Sequence, residues 1–350
     1  MADHDPKVPA TTSRKADANA KKPFEAPRLT VYGDYGLTLE SDLPLRAAAP
    51  AAGRPIDVTF TMEPLTGSAP GTRSPGEAFW YQSDWVDDRS GAPGLVIYRS
   101  LHTGAFRIRY SDGVEFLIDA DGRHIAGRAP SDASLADVAC YVTGPVLGFV
   151  LRLRGVIALH ASAVEVAGRA ILLVGDARAG KSTTAAVLAT MGCKVITEDI
   201  AALSIEQETV SVREGCPEIA LRPDAVAQLF GSAEALPRFS DTWEKRRLDL
   251  TEMGAFSSGT VRLGGVYMLT NTDSVPNAPC ITALSTGGAM VELLANVYGN
   301  RLFHDELRMR ELDTVHRVVR SVPVRVAATG AEQRLIGRFC EVLLDDLHRA

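Results

Sequence analysis

Between Leu29 and about Ser131, apolar and polar residues alternate in short runs, the period-two pattern of half-buried strands. LTVYGDYGLTLES, PIDVTFTME, GLVIYRS, AFRIRYSDGVEFLID and GRHIAGR all carry it. Ser111-Asp112-Gly113 and the cluster of Asp119, Asp121 and Gly122 supply hairpin-like turns between such runs. The stretch SAPGTRSPGEAFWYQSDWVDDRSGAPG interrupts the alternation and reads as a loop, with Trp80 and Trp85 as packing anchors. The pattern predicts a small β-rich domain over residues 28–131.

Past residue 131 the period lengthens. SDASLADVACYVTGPVLGFVLRLR has helical spacing, with Ser131 or Ser134 as N-cap and Pro145 kinking or dividing it. This helix serves as a connector. VIALHASAVEVAGRAILLVG follows as two strands joined by a tight turn at Ala167-Gly168-Arg169. A helix from Ser182 to Met191 closes at Gly192, a good C′ residue, and is followed by the strands KVIT and IAALSI. LRPDAVAQLFG is a short helix with Pro223 in its first turn, and VRLGGVYMLT a buried strand. STGGAMVELLANVYGN, HDELRMRELDTVHRVVRS and EQRLIGRFCEVLLDDLH have apolar residues at helical spacing. His304 and His316 fall in these stretches and read as structural, with Asp305 and Glu306 as first-turn helix acids. Residues 132–350 are therefore expected to form an α/β domain. Residues 1–27 carry too little apolar surface to fold and are expected to be a disordered tail.

Composition narrows the function classes. A chain of 350 residues allows two domains, and 46% hydrophobic with 23% charged residues is ordinary for a globular protein. A net charge of −6 argues against nucleic acid as a partner. Cys140, Cys193, Cys216, Cys280 and Cys340 are scattered without a C-x-x-C, which points to reduced thiols rather than zinc or disulfides. The first residues lack the apolar core of a secretory signal. The most apolar run, VLGFVLRLRGVIAL, is broken by Arg152, Arg154 and Gly155 and is too short to span a bilayer. No membrane partner and a cytoplasmic location are expected.

Chemistry concentrates in ILLVGDARAGKSTTAAVL. It matches the P-loop pattern G-x-x-x-x-G-K-[ST], with a strand before and a helix after. Gly175, Asp176, Ala177, Arg178, Ala179, Gly180, Lys181, Ser182 and Thr183 would wrap the phosphates of a nucleotide with backbone N–H groups. Lys181 would neutralise the β and γ oxygens of ATP, and the Ser182 hydroxyl would hold Mg²⁺. His160 lies on the strand before the loop. Glu198-Asp199 ends the strand after the helix, where α/β ligands bind and where a catalytic base or metal ligand is needed. Of the basic run Lys245-Arg246-Arg247, Arg246 and Arg247 are candidate phosphate ligands, since arginine is the better bidentate partner. In the common P-loop enzymes the loop follows a strand of a parallel βαβ sheet; here a hairpin precedes it.

LHASAVEVAGRAILLVGDARAGKSTTAAVLATMGCKVITEDIAAL resembles the catalytic domain of the HPr kinase/phosphorylase family. That family has a histidine on the strand before the loop, a G-D-S-G-x-G-K-S loop, a glycine closing the helix and a strand ending in two acids. In layout the chain is similar to HPr-kinase-related proteins found beside ribosomal-peptide gene clusters, including those of lasso peptides. Their R-G-x-x-x-L-H-A-S is matched from Arg154 to Ser162, and the strong match runs from Arg154 to about Leu203. The resemblance implies a phosphoenolpyruvate-carboxykinase-like P-loop fold and an ATP- and Mg²⁺-dependent serine or threonine kinase. The acceptor would be a peptide or small protein, such as a ribosomal precursor peptide. It further implies that Lys181 and Ser182 bind phosphate and Mg²⁺, that Glu198 and Asp199 are acceptor base and metal-associated group, and that His160 is the active-site histidine. Assembly into a homo-oligomer is also implied.

The departures are specific. Ala177 replaces Ser, Arg178 replaces Gly, and Glu198 replaces the first Asp, so the base is either Glu198 or Asp199. The family's later glycine-rich signature, linked to dephosphorylation and HPr docking, is not recognisable. That implies a one-way kinase that ignores HPr. The β-rich region has no chemical motif, and its expected role is to position the peptide. A nucleotide-binding sensor or assembly factor, and a small-molecule kinase on the same fold, are the alternatives.

Overall fold

The structure, a computed structural model, describes residues 29–49, 53–64, 73–88, 90–270, 278–302, 307–329 and 336–349. The expected tail over residues 1–27, and His304, Asp305 and Glu306, lie outside the described residues.

The alternating region forms one sheet of eight strands. These are β1 (Thr30–Asp34), β2 (Leu37–Ser41), β3 (Val58–Met62), β4 (Glu77–Gln82), β5 (Leu95–Ser100), β6 (Phe106–Tyr110), β7 (Glu115–Ile118) and β8 (His124–Arg128). Their order is β1-β2-β3-β8-β7-β6-β5-β4, with β2–β3 and β3–β8 parallel. Two expectations need correction. LTVYGDYGLTLES is a hairpin rather than one strand, because Tyr35 and Gly36 both take positive φ (50° and 74°) and turn the chain tightly. The expected loop around AFWYQSDW contains the edge strand β4. Trp80 does anchor packing there: its Nε1 donates to the Leu302 carbonyl at 2.6 Å and its ring meets Phe106 edge-on at 5.4 Å.

The connector comprises α1 (Leu135–Tyr141) and α2 (Leu147–Leu153), joined by a π-type turn over Val142–Val146 that contains Gly144 and Pro145. Ser134 caps α1, its hydroxyl accepting from the Asp137 N–H at 3.3 Å. The apolar stretch extends further towards the N-terminus than VLGFVLRLRGVIAL: Leu135–Leu153 is long and apolar enough to cross a membrane by length and composition, and 72% of it is buried inside the protein. Its apolar face packs on Phe60, Ile97, Ile108 and Phe116 of the first sheet, and the same core takes in Ala158, Ile200 and Ala202. The change near residue 131 is thus a change of architecture and not a break in packing.

The second sheet contains β9 (Ala158–Val166), β10 (Arg169–Val174), β11 (Lys194–Thr197), β12 (Ile200–Glu206), β13 (Thr209–Arg213), β16 (Thr260–Thr270), β17 (Cys280–Ala283) and β18 (Val324–Ala328). A separate pair, β14 (Glu218–Leu221) and β15 (Arg246–Asp249), stands beside it. β9 and β10 form the expected hairpin through Ala167 and Gly168, at φ 48° and 74°. Pairing runs β10-β9-β12-β13-β16 and returns from β16 to β10 in parallel, while β18 and β17 extend from β16. The remaining helices are α3 (Lys181–Thr190), α4 (Pro223–Phe230), α5 (Thr286–Ala295), α6 (Arg308–Ser321) and α7 (Ile336–Arg349).

Alternation along β10 explains the layering. Ile171 and Leu173 pack with Leu188 of α3 and Phe339 and Leu343 of α7. Leu172 and Val174 pack with Leu293 of α5 and Val315 and Val318 of α6. Helices therefore cover both faces, as a buried parallel core requires. The result is a mixed α/β protein with β-rich regions. The carboxyl end of β10, beside its parallel neighbour β16, carries the P-loop.

Candidate phosphoryl-transfer site

The loop begins where a side chain has no room. Gly175 has φ 153°, and a Cβ there would lie 2.7 Å from the Leu269 carbonyl oxygen of β16. Gly180, at φ 96°, is the left-handed residue from which α3 starts. Arg178 also takes a left-handed φ, 70°, at the position where the resembled family has glycine. That costs on the order of 1 kcal/mol. Asp176, Ala177 and Arg178 form the exposed rim; Ala179 is buried, and Ser182 and Thr183 on the first turn of α3 are half-buried. The N-terminal N–H groups of α3 and its dipole favour an anion here. Lys181 is buried, and its Nζ donates to the carbonyls of Gly175 at 2.7 Å and Asp176 at 3.1 Å. Burial pushes its pKa down, against the nearby charges of Asp199, Glu198 and Asp176.

The acid pair occupies a two-residue turn between β11 and β12. The Thr197 hydroxyl donates to the Ile200 carbonyl at 2.8 Å, and the Ile200 N–H to the Glu198 carbonyl at 2.8 Å. Asp199 sits at φ 68°, a conformation that aspartate tolerates better than most residues. The turn divides the two carboxylates. Glu198 Oε1 accepts from the Ser182 hydroxyl at 2.5 Å, whereas Asp199 Oδ1 lies 3.0 Å from His160 Nε2. His160 is fixed opposite Ile200 in the β9–β12 register, and its N–H donates to the Asn296 carbonyl at 2.8 Å. Burial, then the neighbouring charge of Asp199, pushes Glu198 up to about 7. Asp199 moves the other way. Burial would raise it, but its side chain is half exposed, and the His160 hydrogen bond with the charges of His160, Lys245 and Lys181 holds it below the usual range.

In the basic cluster both arginines are already paired with acids. Arg246 is buried, donating to the Ala233 carbonyl at 2.9 Å and to both Glu234 oxygens at 2.8 and 2.6 Å. Arg247 donates to Glu218 at 3.1 Å and lies 3.6 Å from Asp249. Glu218 reaches Arg247 from β14, and Glu234 reaches Arg246 from the segment after α4, so both guanidinium groups are held in ion pairs. Lys245, one residue earlier, is the cation whose charge reaches Glu198, Asp199 and Lys181. Lys245→Ala is expected to cut transfer about tenfold at subsaturating MgATP. Arg246→Ala is expected to lower the melting temperature while leaving kcat within about twofold. Steady-state kinetics beside thermal melts check both.

Two tyrosines went unnoticed in the sequence. Tyr298 meets the His160 ring edge-on, with ring centroids 6.4 Å apart. Tyr35, at the β1–β2 hairpin tip, packs behind the acid pair: a Cβ on Gly215 would lie 2.1 Å from Thr197 Oγ1 and 2.9 Å from the Tyr35 ring. Beside it Asp34 is fully buried, and burial pushes its pKa well up against a backbone hydrogen bond from Tyr35. The hairpin of the first sheet thus approaches Thr197, the residue before Glu198, across Gly215.

Hard oxygen donors suit Mg²⁺, which takes one or two protein oxygens and fills its octahedron with phosphates and water. Ser182 Oγ and Glu198 Oε1 already converge, with Asp199 next in sequence, and fit such an ion. Among the described residues no group of three or more His, Cys, Asp and Glu is placed to hold a metal ion.

No family model matches the chain. No curated protein matches it either. Solved structures do: the HPr(Ser) kinase/phosphatase from Coxiella burnetii aligns over 55% of this chain and 97% of its own, with a TM-score of 0.33 and 10% sequence identity. That is a distant resemblance at the level of the fold.

Proposed function

We propose that the chain is an ATP- and Mg²⁺-dependent kinase that transfers the γ-phosphate to a serine or threonine hydroxyl of a peptide or small protein. The observation that carries this reading is the division of the acid pair, Glu198 on the P-loop serine and Asp199 on His160. One carboxylate thereby serves the phosphate end and the other faces an incoming hydroxyl. Mg²⁺, when bound, neutralises phosphate charge beside Ser182 and Glu198. Lys181 exchanges its two loop carbonyls for phosphate oxygens, and Lys245 adds a second positive charge. Asp199, oriented by His160, accepts the hydroxyl proton as the acceptor oxygen bonds to the γ-phosphorus and the bond to the ADP oxygen breaks. The preorganised cations and helix N–H groups stabilise the charge on the moving phosphoryl group. The β-rich region holds the acceptor and supports the acid-pair turn from behind.

The test offers the full chain MgATP with HPr and with serine-containing peptides in parallel. A mass gain of one phosphate on peptides, and none on HPr, is expected. Efficient phosphorylation of HPr, or its dephosphorylation by inorganic phosphate, overturns the one-way peptide-kinase reading. Slow hydrolysis indifferent to every acceptor favours a nucleotide sensor.

A further inference from the structure

A cavity of about 250 Å³ lies between the first sheet and the connector helices, walled by Leu95, Ile97, Ile108, Tyr110, Phe149 and Tyr298 among others. The lining is mostly apolar. It contrasts with a smaller recess of about 100 Å³ around Arg169, Glu208 and Arg262, which sits at the start of β10, at the other end of that strand from the P-loop.

Tyr298 belongs both to the cavity and to the candidate site. Its ring forms part of the cavity wall and also meets the ring of His160, the partner of Asp199. Burial raises its phenol pKa well above the usual value, and the nearby charges of Asp199 and Tyr110 add to the shift. The Tyr298 N–H donates to the Ala158 carbonyl and the His160 N–H to the Asn296 carbonyl, both at 2.8 Å, so the wall and the histidine are clamped to one another. Gly148 of α2 makes room for the ring, since a Cβ there would lie 2.4 Å from it. A path therefore runs from Ser182 to Glu198 by hydrogen bond, to Asp199 along the chain, and on by contact through His160 and Tyr298 to the cavity. Phosphates belong at the first end of that series, which puts the cavity at the acceptor end.

We propose that this cavity seats a large aliphatic or aromatic side chain of the acceptor peptide, about three residues from the hydroxyl that receives the phosphate. The proposal rests on the kinase reading above. The spacing follows from two contacts in series, 3.0 Å from Asp199 to His160 and 6.4 Å between the His160 and Tyr298 rings, together the reach of about three extended residues at roughly 3.3 Å each. The apolar lining suits a hydrocarbon side chain and offers little to a nucleotide base.

The experiment uses short serine-centred peptides in which one flanking position at a time is Leu, Phe, Ala or Asp. Each is measured for binding to the full chain and for phosphate incorporation. Leu or Phe near the third flanking position on one side is expected to raise kcat/KM about tenfold or more over Ala, and Asp to abolish it. Leu95→Trp, which fills the cavity from its partly exposed wall, is expected to erase that preference with MgATP affinity unchanged. Tyr81→Trp, at the same wall, repeats the test should the first variant fold poorly. Phosphorylation indifferent to flanking residues, or a preference that survives filling, overturns the cavity proposal and leaves the kinase reading standing. Apolar-dependent binding that filling abolishes, without phosphate transfer, supports the cavity as a peptide site and overturns the kinase reading. Neither binding nor transfer overturns both.

Discussion

Lys181→Met is expected to reduce phosphoryl transfer by about 10³-fold, the scale on which a preorganised charge acts on a transition state. Lys181 Nζ spends its hydrogen bonds on the carbonyls of Gly175 and Asp176, inside the loop that would hold the phosphates. Methionine keeps the buried stem but loses the charge and both hydrogen bonds to the loop carbonyls, while also relieving the burial of an ammonium, so the melting temperature should fall by only a few degrees. Thermal melts beside initial rates of transfer separate the two effects. Normal turnover in this variant would remove the P-loop from the chemistry.

The acid pair yields the second large effect. Glu198→Gln and Asp199→Asn should each slow transfer by at least about 10²-fold, the size of a lost acid–base contribution. They should fail differently. Glu198 is bonded to Ser182, so its variant should need more Mg²⁺ to reach its maximal rate. Asp199 is bonded to His160, so its variant should lose rate even at saturating Mg²⁺. Asparagine tolerates the left-handed φ of 68° at position 199 at least as well as aspartate, which keeps the turn intact. Mg²⁺ titrations of the rate distinguish the variants, and near-wild-type rates in both would move catalysis elsewhere.

What was legible in the sequence is what local chemistry determines. The P-loop shows itself because backbone clashes at Gly175 and the left-handed start of α3 at Gly180 require those glycines. The β9–β10 hairpin shows itself in Ala167-Gly168, and Glu198-Asp199 in its place at a strand end. The rest depends on tertiary register. Arg246 and Arg247 look better suited to phosphate than Lys245, but their acids, Glu234 and Glu218, are brought to them only when the chain folds back on itself. Gly33-Asp34-Tyr35-Gly36 holds turn-favouring residues, but the alternation on either side runs through it in the same phase, so the hairpin behind the acid pair reads as one strand. Tyr298 lies far along the chain from His160, and only the pairing of residues 296–298 with β9 unites them.

The central claim is that the P-loop and the divided acid pair form one site that delivers phosphate to a hydroxyl. A single-turnover experiment with the full chain, γ-labelled ATP, Mg²⁺ and a serine-containing peptide with an apolar flank tests it most directly. The label is then partitioned between peptide and inorganic phosphate. The account predicts that most of it appears as phosphoserine in wild type, and that Asp199→Asn lowers the rate of its appearance by at least about 10²-fold. Label released only as inorganic phosphate, at a rate indifferent to the peptide and to Asp199, would contradict it.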